Sequence, residues 1–256
     1  MRVTVVGSGT VHPSSEWTQS CVVVEVGGKM LVFDLGYGAV SGMLRCNLDP
    51  FSADHIFFTH FHPDHTSDIV PLLFTTNYGL EEPRTKPLVV SGPEPFGDFW
   101  EAVSSSWGEW TTPKDFDLTV NELPLKASEP LSLPGAILSW AKSEHRPESI
   151  AYRLDRSDAH EGSFVYTGDT EYSELVVELA RGAHTLLIEC SAPDDSPIPG
   201  HLTPSGVARI ASEASVRRVI LTHVFPDTAR LDLVSEVRKG FGGEVLIAGN
   251  GLRFEV

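Results

Sequence analysis

The chain has 256 residues, of which 41% are hydrophobic and 21% are charged, as in a soluble globular protein with a substantial core. Its formal net charge of −16 argues against a nonspecific binder of polyanions. No apolar run approaches the roughly 20 residues of a membrane helix, and residues 1–6 show a strand pattern without the apolar core of a signal peptide. We therefore expect one cytoplasmic domain over residues 1–256, with no membrane segment.

The first half of the chain alternates strand and helix patterns. Apolar runs predict strands over residues 3–7, 21–26, 30–34, 56–59 and 88–91. Helical apolar spacing predicts helices over residues 37–47 and 66–78. Residues 94–110 are rich in aromatic side chains, which we interpret as a helix packed on a sheet, with a pocket wall or a dimer contact as the alternative.

The second half repeats this alternation. Strands are predicted over residues 118–122, 137–141, 149–154, 162–166, 186–189, 219–221, 244–247 and 252–256. Helices are predicted over residues 174–181, 203–214 and 228–241. This grouping indicates an α+β fold in which two sheets pack face to face and helices cover both.

The most informative motif is Thr59-His60-Phe61-His62-Pro63-Asp64-His65, which begins where the strand over 56–59 ends. Four potential metal ligands, His60, His62, Asp64 and His65, fall within this short motif. Imidazole and carboxylate groups suit borderline divalent metals such as zinc. Histidines also cluster on surfaces without a metal, but this spacing after an apolar strand favours a metal site at a sheet edge.

Three further candidate ligands, His145, Asp169 and His223, lie at the ends of later strand patterns. Taken alone, each histidine would be an ordinary loop residue, and Asp169 beside Gly168 would be a turn former. Taken in order with the first motif, the set resembles the metallo-β-lactamase superfamily, whose members carry His-x-His-x-Asp-His followed by three separated ligands. The resemblance extends to residues 5–10 and 245–251 and implies a four-layer αββα sandwich.

The resemblance also implies two divalent metal ions. His60, His62 and His145 would hold the first, Asp64, His65 and His223 would hold the second, and the Asp169 carboxylate would bridge them. A hydroxide bridging the two ions would be the nucleophile, and Asp64 would orient its parent water or accept a proton from it. Zinc is the expected metal, and the same ligands accept manganese, iron or nickel.

His201, in His201-Leu202-Thr203-Pro204, resembles a histidine of the ribonuclease Z-like branch of that superfamily. The resemblance implies that His201 contacts the scissile phosphate and assists the leaving group; the alternative is a loop histidine without chemistry. One departure is that Thr203 stands where the branch has a carboxylate partner for this histidine, so that partner is absent from its usual position.

A second departure concerns the long arm with which ribonuclease Z grips transfer RNA. Only a short hairpin separates His145 from Asp169, and it carries the acidic residues Asp155, Asp158 and Glu161. Acidic side chains repel an RNA backbone, so transfer RNA is not the expected partner. The expected function is hydrolysis of a small phosphodiester such as a cyclic nucleotide.

Two other functions stay open from the sequence. The same centre would suit hydrolysis of a carbonyl substrate, namely a lactone, thioester or β-lactam. A non-hydrolytic accessory or sensor protein would carry the same ligands. A homodimer is also left open, because the resembled family is often dimeric.

The cysteines and His12, which lie outside the motif, each have a structural and a functional interpretation. Cys21, Cys46 and Cys190 match no zinc knuckle or disulfide scaffold, so reduced thiols are expected, with a metal role for Cys190 as the alternative. His12 is expected to be a surface histidine, with a place in the pocket wall as the alternative.

Overall fold

The computed structural model describes residues 1–126, 129–157 and 162–256. Within these residues, the strands of a first sheet are β1 Arg2–Gly7, β2 Cys21–Val26, β3 Lys29–Phe33, β4 His55–Phe57, β5 Leu88–Pro93, β6 Leu118–Leu123 and β14 Leu252–Glu255. Their order across the sheet is β14-β1-β2-β3-β4-β5-β6. The pairs from β14 to β3 are antiparallel, and those from β3 to β6 are parallel.

The second sheet mirrors this plan. Its strands are β7 Leu131–Leu133, β8 Ala136–Lys142, β9 Ile150–Arg156, β10 Ser163–Tyr166, β11 Thr185–Glu189, β12 Arg218–Thr222 and β13 Glu244–Ile247. The order is β13-β12-β11-β10-β9-β8-β7. The pairs from β10 to β13 are parallel, so each sheet has a parallel half whose strand ends share one edge.

Helices cover the outer faces of both sheets. The α-helices are α1 Ala39–Arg45, α2 Pro63–Thr66, α3 Ile69–Tyr78, α4 Phe96–Trp107, α5 Glu174–Ala180, α6 Pro204–Glu213 and α7 Leu233–Arg238. Buried apolar side chains form one cluster between the sheets, a second under α1, α3 and α4, and a third under α5, α6 and α7. Three apolar layers between four layers of structure confirm the predicted αββα sandwich.

Three elements differ from the sequence-based expectation. The helix predicted over residues 66–78 starts only at Ile69, and the separate short helix α2 precedes it. The helix predicted over residues 228–241 is wrong: a short 3₁₀ turn at Thr228–Arg230 is followed by the separate helix α7. The Asp232 side chain accepts a hydrogen bond from the Ser235 backbone N–H and starts α7 anew, which apolar spacing alone does not reveal. Strand β7 was not predicted, since its three residues are too few to show a period.

The buried side chain of His55, on β4, makes folding stability depend on pH. Its Nε2 hydrogen-bonds Ser91 Oγ at 2.7 Å, its ring stacks on Phe57, and burial lowers its pKa to about 3. Below about pH 6.5 the unfolded chain protonates this imidazole while the folded chain does not. Acidification therefore favours unfolding, by up to about 1.4 kcal/mol per pH unit for this group.

We expect the free energy of unfolding to fall by about 2 kcal/mol more in the wild type than in His55→Gln between pH 7 and pH 5. Urea denaturation followed by circular dichroism, with a chelator present throughout, measures both values. Equal pH dependence in the two proteins would show that His55 does not contribute in this way.

Candidate metal centre

The sequence-predicted ligands lie at the edge where the parallel strands of both sheets end. His60 and His62 follow β4, and Asp64 and His65 are in α2, which comes directly after them. The other three arrive from the second sheet: Asp169 after β10, His223 after β12 and His145 in the turn between β8 and β9. Loops at the carboxyl ends of parallel strands are where open α/β sheets commonly form sites.

The structure brings these side chains together as two groups. In the first, potential ligand atoms lie within 4.8 Å of one another; it contains His60, His62, His145 and Asp169. The second group, within the same distance, contains Asp64, His65 and His223.

Asp169 faces both groups. Its Oδ2 lies 3.9 Å from His60 Nε2 and 3.7 Å from His145 Nε2. Its Oδ1 lies 3.4 Å from His65 Nε2 and 3.5 Å from His223 Nδ1. A carboxylate in this position is suited to touch a cation in either group.

Two kinds of observation fit these residues to divalent metal. First, His60 Nε2 and Asp169 Oδ1 are buried and have no hydrogen-bond partner, although buried polar atoms are nearly always satisfied. Second, the outward ring nitrogens are already engaged: His60 Nδ1 with Thr59 Oγ1 at 3.0 Å, and His145 Nδ1 with the Gly200 carbonyl at 2.8 Å. Histidines that bind metal are oriented in this manner by a second hydrogen bond.

Asp34 gives His65 the same support and was missed by sequence reasoning. This fully buried carboxylate, just after β3, accepts a hydrogen bond from His65 Nδ1 at 2.7 Å. It also accepts hydrogen bonds from the Thr59 backbone N–H at 2.8 Å and from the Tyr166 hydroxyl at 2.8 Å. Asp34 therefore joins the ligand loop of the first sheet to β10 of the second.

Electrostatics keep the cluster in forms that bind cations. Burial lowers the pKa of His60, His62 and His145, so these imidazoles are neutral, which is the form that binds metal. Burial would raise the pKa of Asp169, but the neighbouring His223 and His65 hold it well below its usual range. Asp169 is therefore a carboxylate.

His65 is the exception among the histidines. Burial opposes its charged form, yet the nearby Asp169 and Asp34 carboxylates raise its pKa well above the ordinary value. A proton on His65 Nε2, the nitrogen that faces Asp169, would compete with a metal ion for that atom.

The backbone conformation at position 168, just before Asp169, favours a glycine. Gly168 has a φ of +58°, a region that favours glycine, and an added Cβ would lie 2.7 Å from Thr59 Oγ1. The strand end can therefore bring Asp169 close to the ligand loop of the first sheet.

His201 stands beside the cluster and has a carboxylate partner. Its Nδ1 donates to Glu189 Oε1 at 2.9 Å, and a ring nitrogen of His201 lies within 4.8 Å of ligand atoms of Asp169 and His223. The carboxylate comes from Glu189 at the end of β11 and not from the position of Thr203, a partner that sequence reasoning missed. Thr203 instead caps α6 through its side chain.

Glu189 is held in place on every side. It is fully buried, and besides His201 it accepts hydrogen bonds from the Thr170 backbone N–H at 2.9 Å and the Ser191 hydroxyl at 2.5 Å. Burial would lower the pKa of His201, but its hydrogen bond and charge interaction with Glu189 raise it. The pair is therefore suited to hold a proton on His201.

Comparison with known proteins assigns the family. A family model described as the β-lactamase superfamily domain matches residues 42–224. The chain belongs to the metallo-β-lactamase superfamily. An uncharacterised protein of Mycobacterium leprae (strain TN) is 33% identical to this superfamily member, over 100% of the chain and 89% of that protein. A ribonuclease Z of Haloarcula marismortui is 26% identical, over 100% of the chain and 97% of that protein.

Comparison with solved structures identifies the same fold. The crystal structure of YhfI from Bacillus subtilis, a metallo-β-lactamase fold protein, matches with a TM-score of 0.84 and 24% identity, over 100% of this chain and 99% of that one. The predicted superfamily and its ribonuclease Z-like branch are confirmed. This superfamily member is a metal-dependent hydrolase.

The arm of ribonuclease Z is missing from this metallo-β-lactamase superfamily member. Strands β9 and β10 are joined by residues 157–162 alone. Of the acidic residues noted there, Asp155 pairs with Arg153 at 2.8 Å, while Asp158 and Glu161 lie outside the described residues. Among the residues described, no helix combines the length and apolar character that crossing a bilayer requires.

The aromatic segment packs at one end and is open at the other. Phe96 at the start of α4 is buried in the core under the first sheet, as predicted for a packed helix. Trp107 and Trp110 are about half exposed and line an apolar groove with Phe61, which lies between His60 and His62. A role of this groove as pocket wall or dimer contact stays a prediction.

The cysteines and His12 have clear positions. Cys21 and Cys190 are buried, Cys46 is half-buried, and all three thiols are free. Burial raises the pKa of the Cys190 thiol, which keeps it protonated. His12 is exposed but lines a cavity, and its ring packs edge-on against Phe225.

Proposed function

We propose that this superfamily member is a phosphodiesterase that uses two divalent metal ions to hydrolyse small phosphodiesters, cyclic nucleotides among them. The observation that carries the proposal is the Glu189–His201 pair beside the ligand cluster. A phosphodiester releases an alkoxide that needs a proton, and the 2.9 Å hydrogen bond between His201 and Glu189 supports His201 as its donor. Residues 1–256 act as a single hydrolase domain in this proposal.

The ligand roles follow the two observed groups. His60, His62 and His145 would hold one ion, Asp64, His65 and His223 would hold the other, and Asp169, which faces both groups, would serve both. The bound ions, with zinc the first choice, supply Lewis acidity and lower the pKa of a coordinated water. The choice between zinc and manganese, iron or nickel is tested by metal analysis of the purified protein.

Asp64, His201 and Glu189 supply the remaining parts of the proposed mechanism. Asp64 Oδ2 lies 3.3 Å from His223 Nε2, and the Asp64 carboxylate is assigned the orientation of an attacking water. The neutral histidines keep the cleft from repelling cations, while His201 donates its proton to the leaving oxygen. Glu189 positions His201 and stabilises its charged form.

The size of the substrate follows from the missing arm. Without a segment that reaches out along a polynucleotide, binding depends on the cleft around the cluster. The net charge of −16 also disfavours extended nucleic acid. A small phosphodiester therefore suits this protein better than transfer RNA.

A substrate panel tests the proposal. The metal-loaded protein is assayed with bis-p-nitrophenyl phosphate, 2′,3′-cyclic nucleotides, a lactone, nitrocefin and S-lactoylglutathione. We expect turnover of the phosphodiesters. Cleavage of only the carbonyl substrates would overturn the proposal in favour of an acyl hydrolase, and no turnover of any would favour an accessory or sensor protein.

A further inference from the structure

A cavity of about 470 Å³ lies beside the proposed centre, between the loop after β1 and the loop after β12. Ser8, Thr10, His12, Trp17 and Pro226 are among the residues that line it. The Ser8 carbonyl accepts a hydrogen bond from the His223 backbone N–H at 3.1 Å, so the cavity wall is directly joined to a proposed ligand. The volume is in the range of small-molecule pockets.

The described wall of this cavity carries no carboxylate, ammonium or guanidinium group. Within the described parts of the chain, no aspartate, glutamate, lysine or arginine lines it. In a chain with 19 basic and 35 acidic residues, a wall without these side chains offers no strong partner to a phosphate or a metal cation. It is suited to a neutral group of the substrate.

Aromatic rings connect the cavity to His201. The His12 ring contacts the Phe225 ring with centroids 4.9 Å apart, and Phe225 in turn contacts the His201 ring at 5.2 Å. The Trp17 indole is 46% exposed and lies over Gly249, where an added Cβ would be 3.6 Å from Cζ3 of the ring. Gly249 thus leaves room for the indole, which flanks the cavity.

The rings also present free polar atoms. His12 Nδ1 pairs with Thr10 Oγ1 at 3.2 Å. Among the described residues, no protein group hydrogen-bonds His12 Nε2 or the Trp17 indole nitrogen. A planar heterocycle has faces for the aromatic rings and edge atoms for such groups.

We propose that this cavity, the His12–Trp17 pocket, binds the nucleobase of a nucleotide substrate, with Trp17 stacking on the base. The inference rests on the proposed function and narrows its substrate class to nucleotides. The base then lies on the side of His201, across Phe225, and the phosphodiester lies over the ligand cluster.

Two substrates that differ only in the base test this proposal. They are adenosine 2′,3′-cyclic phosphate and 1-O-methylribose 2′,3′-cyclic phosphate, followed by ³¹P NMR. Loss of one base–aromatic stack is expected to raise KM about tenfold for the adenosine compound in Trp17→Ala. The value of kcat should hold, KM for the methylribose compound should not change, and Trp17→Phe should restore most of the affinity. Equal KM changes for both compounds would overturn the proposal.

Binding measured by fluorescence separates this inference from the proposed function. Adenosine monophosphate added to the metal-loaded protein should quench tryptophan emission in the wild type. The same quenching is expected in the matched control Trp107→Phe, which removes a different exposed tryptophan (51% exposed in the wild type). The quenching should be lost in Trp17→Phe. Quenching retained in Trp17→Phe, or absent from the wild type, would overturn the pocket. Quenching located at Trp17 in a protein that cleaves no phosphodiester would refute the enzymatic proposal alone.

Discussion

Replacing His201 by alanine is expected to lower turnover of 2′,3′-cyclic nucleotides by about 100-fold or more, in the range for a lost general acid. The cause is that an alkoxide leaving group then departs without a proton from the His201–Glu189 pair. A p-nitrophenolate group needs no such proton, so the loss with bis-p-nitrophenyl phosphate should be much smaller. Steady-state kinetics on both substrates, with metal content measured in parallel, give the comparison.

The control for this prediction is His184→Ala, which removes a half-buried histidine that contacts Ser163 on the second sheet. It should leave both rates unchanged. Equal losses on both substrates would contradict the general-acid role, and loss of metal in His201→Ala would show that His201 holds metal instead. In the proposal Glu189 affects turnover mainly by charging His201, so adding Glu189→Gln to His201→Ala should cause little further loss of turnover while metal content is unchanged.

Replacing Asp169 by alanine is expected to reduce bound metal from two equivalents to one or fewer. Its two oxygens face both groups of ligands at distances from 3.4 to 3.9 Å, so its loss removes negative charge from each. Dialysed protein analysed by inductively coupled plasma mass spectrometry gives the metal content. Asp169→Asn, which keeps the shape and loses the charge, should show most of the same effect.

A carboxylate on the surface serves as the control. Asp115 is exposed, and Asp115→Ala should retain the wild-type metal content. Two full equivalents retained in Asp169→Ala would contradict the bridging role. Circular dichroism of both variants separates loss of metal from loss of fold.

The sequence predicted the layers of the fold well because the strands are long enough to show their pattern. Continuous apolar runs mark β2, β11 and β12, which are buried on both faces. Prediction failed where the decisive interaction was local, as at the Asp232 cap of α7. It also failed at β7, where three residues carry too little pattern.

At the candidate site, the spacing of residues in the sequence predicted the proposed metal ligands but not the carboxylates that hydrogen-bond to His65 and His201. The seven proposed ligands recur in a recognisable order, whereas Asp34 and Glu189 are each a single carboxylate ending an apolar strand. Only the folded arrangement shows that Asp34 meets His65 and that Glu189 meets His201. A buried strand that ends in an acidic residue was the available clue, and its partner depends on contacts between distant segments.

The proposed ligands lie far apart in the chain, which has a consequence for biosynthesis. Asp64 and His223, which meet in the centre, are 159 residues apart in the chain. At a translation rate of about 5–20 residues per second, the first motif leaves the ribosome's active site about 8–32 s before His223 is added. Strand β14, which pairs with β1, is made later still. The proposed centre therefore cannot be complete until His223 has been synthesised, and any ion captured earlier would be held by the nascent first half alone.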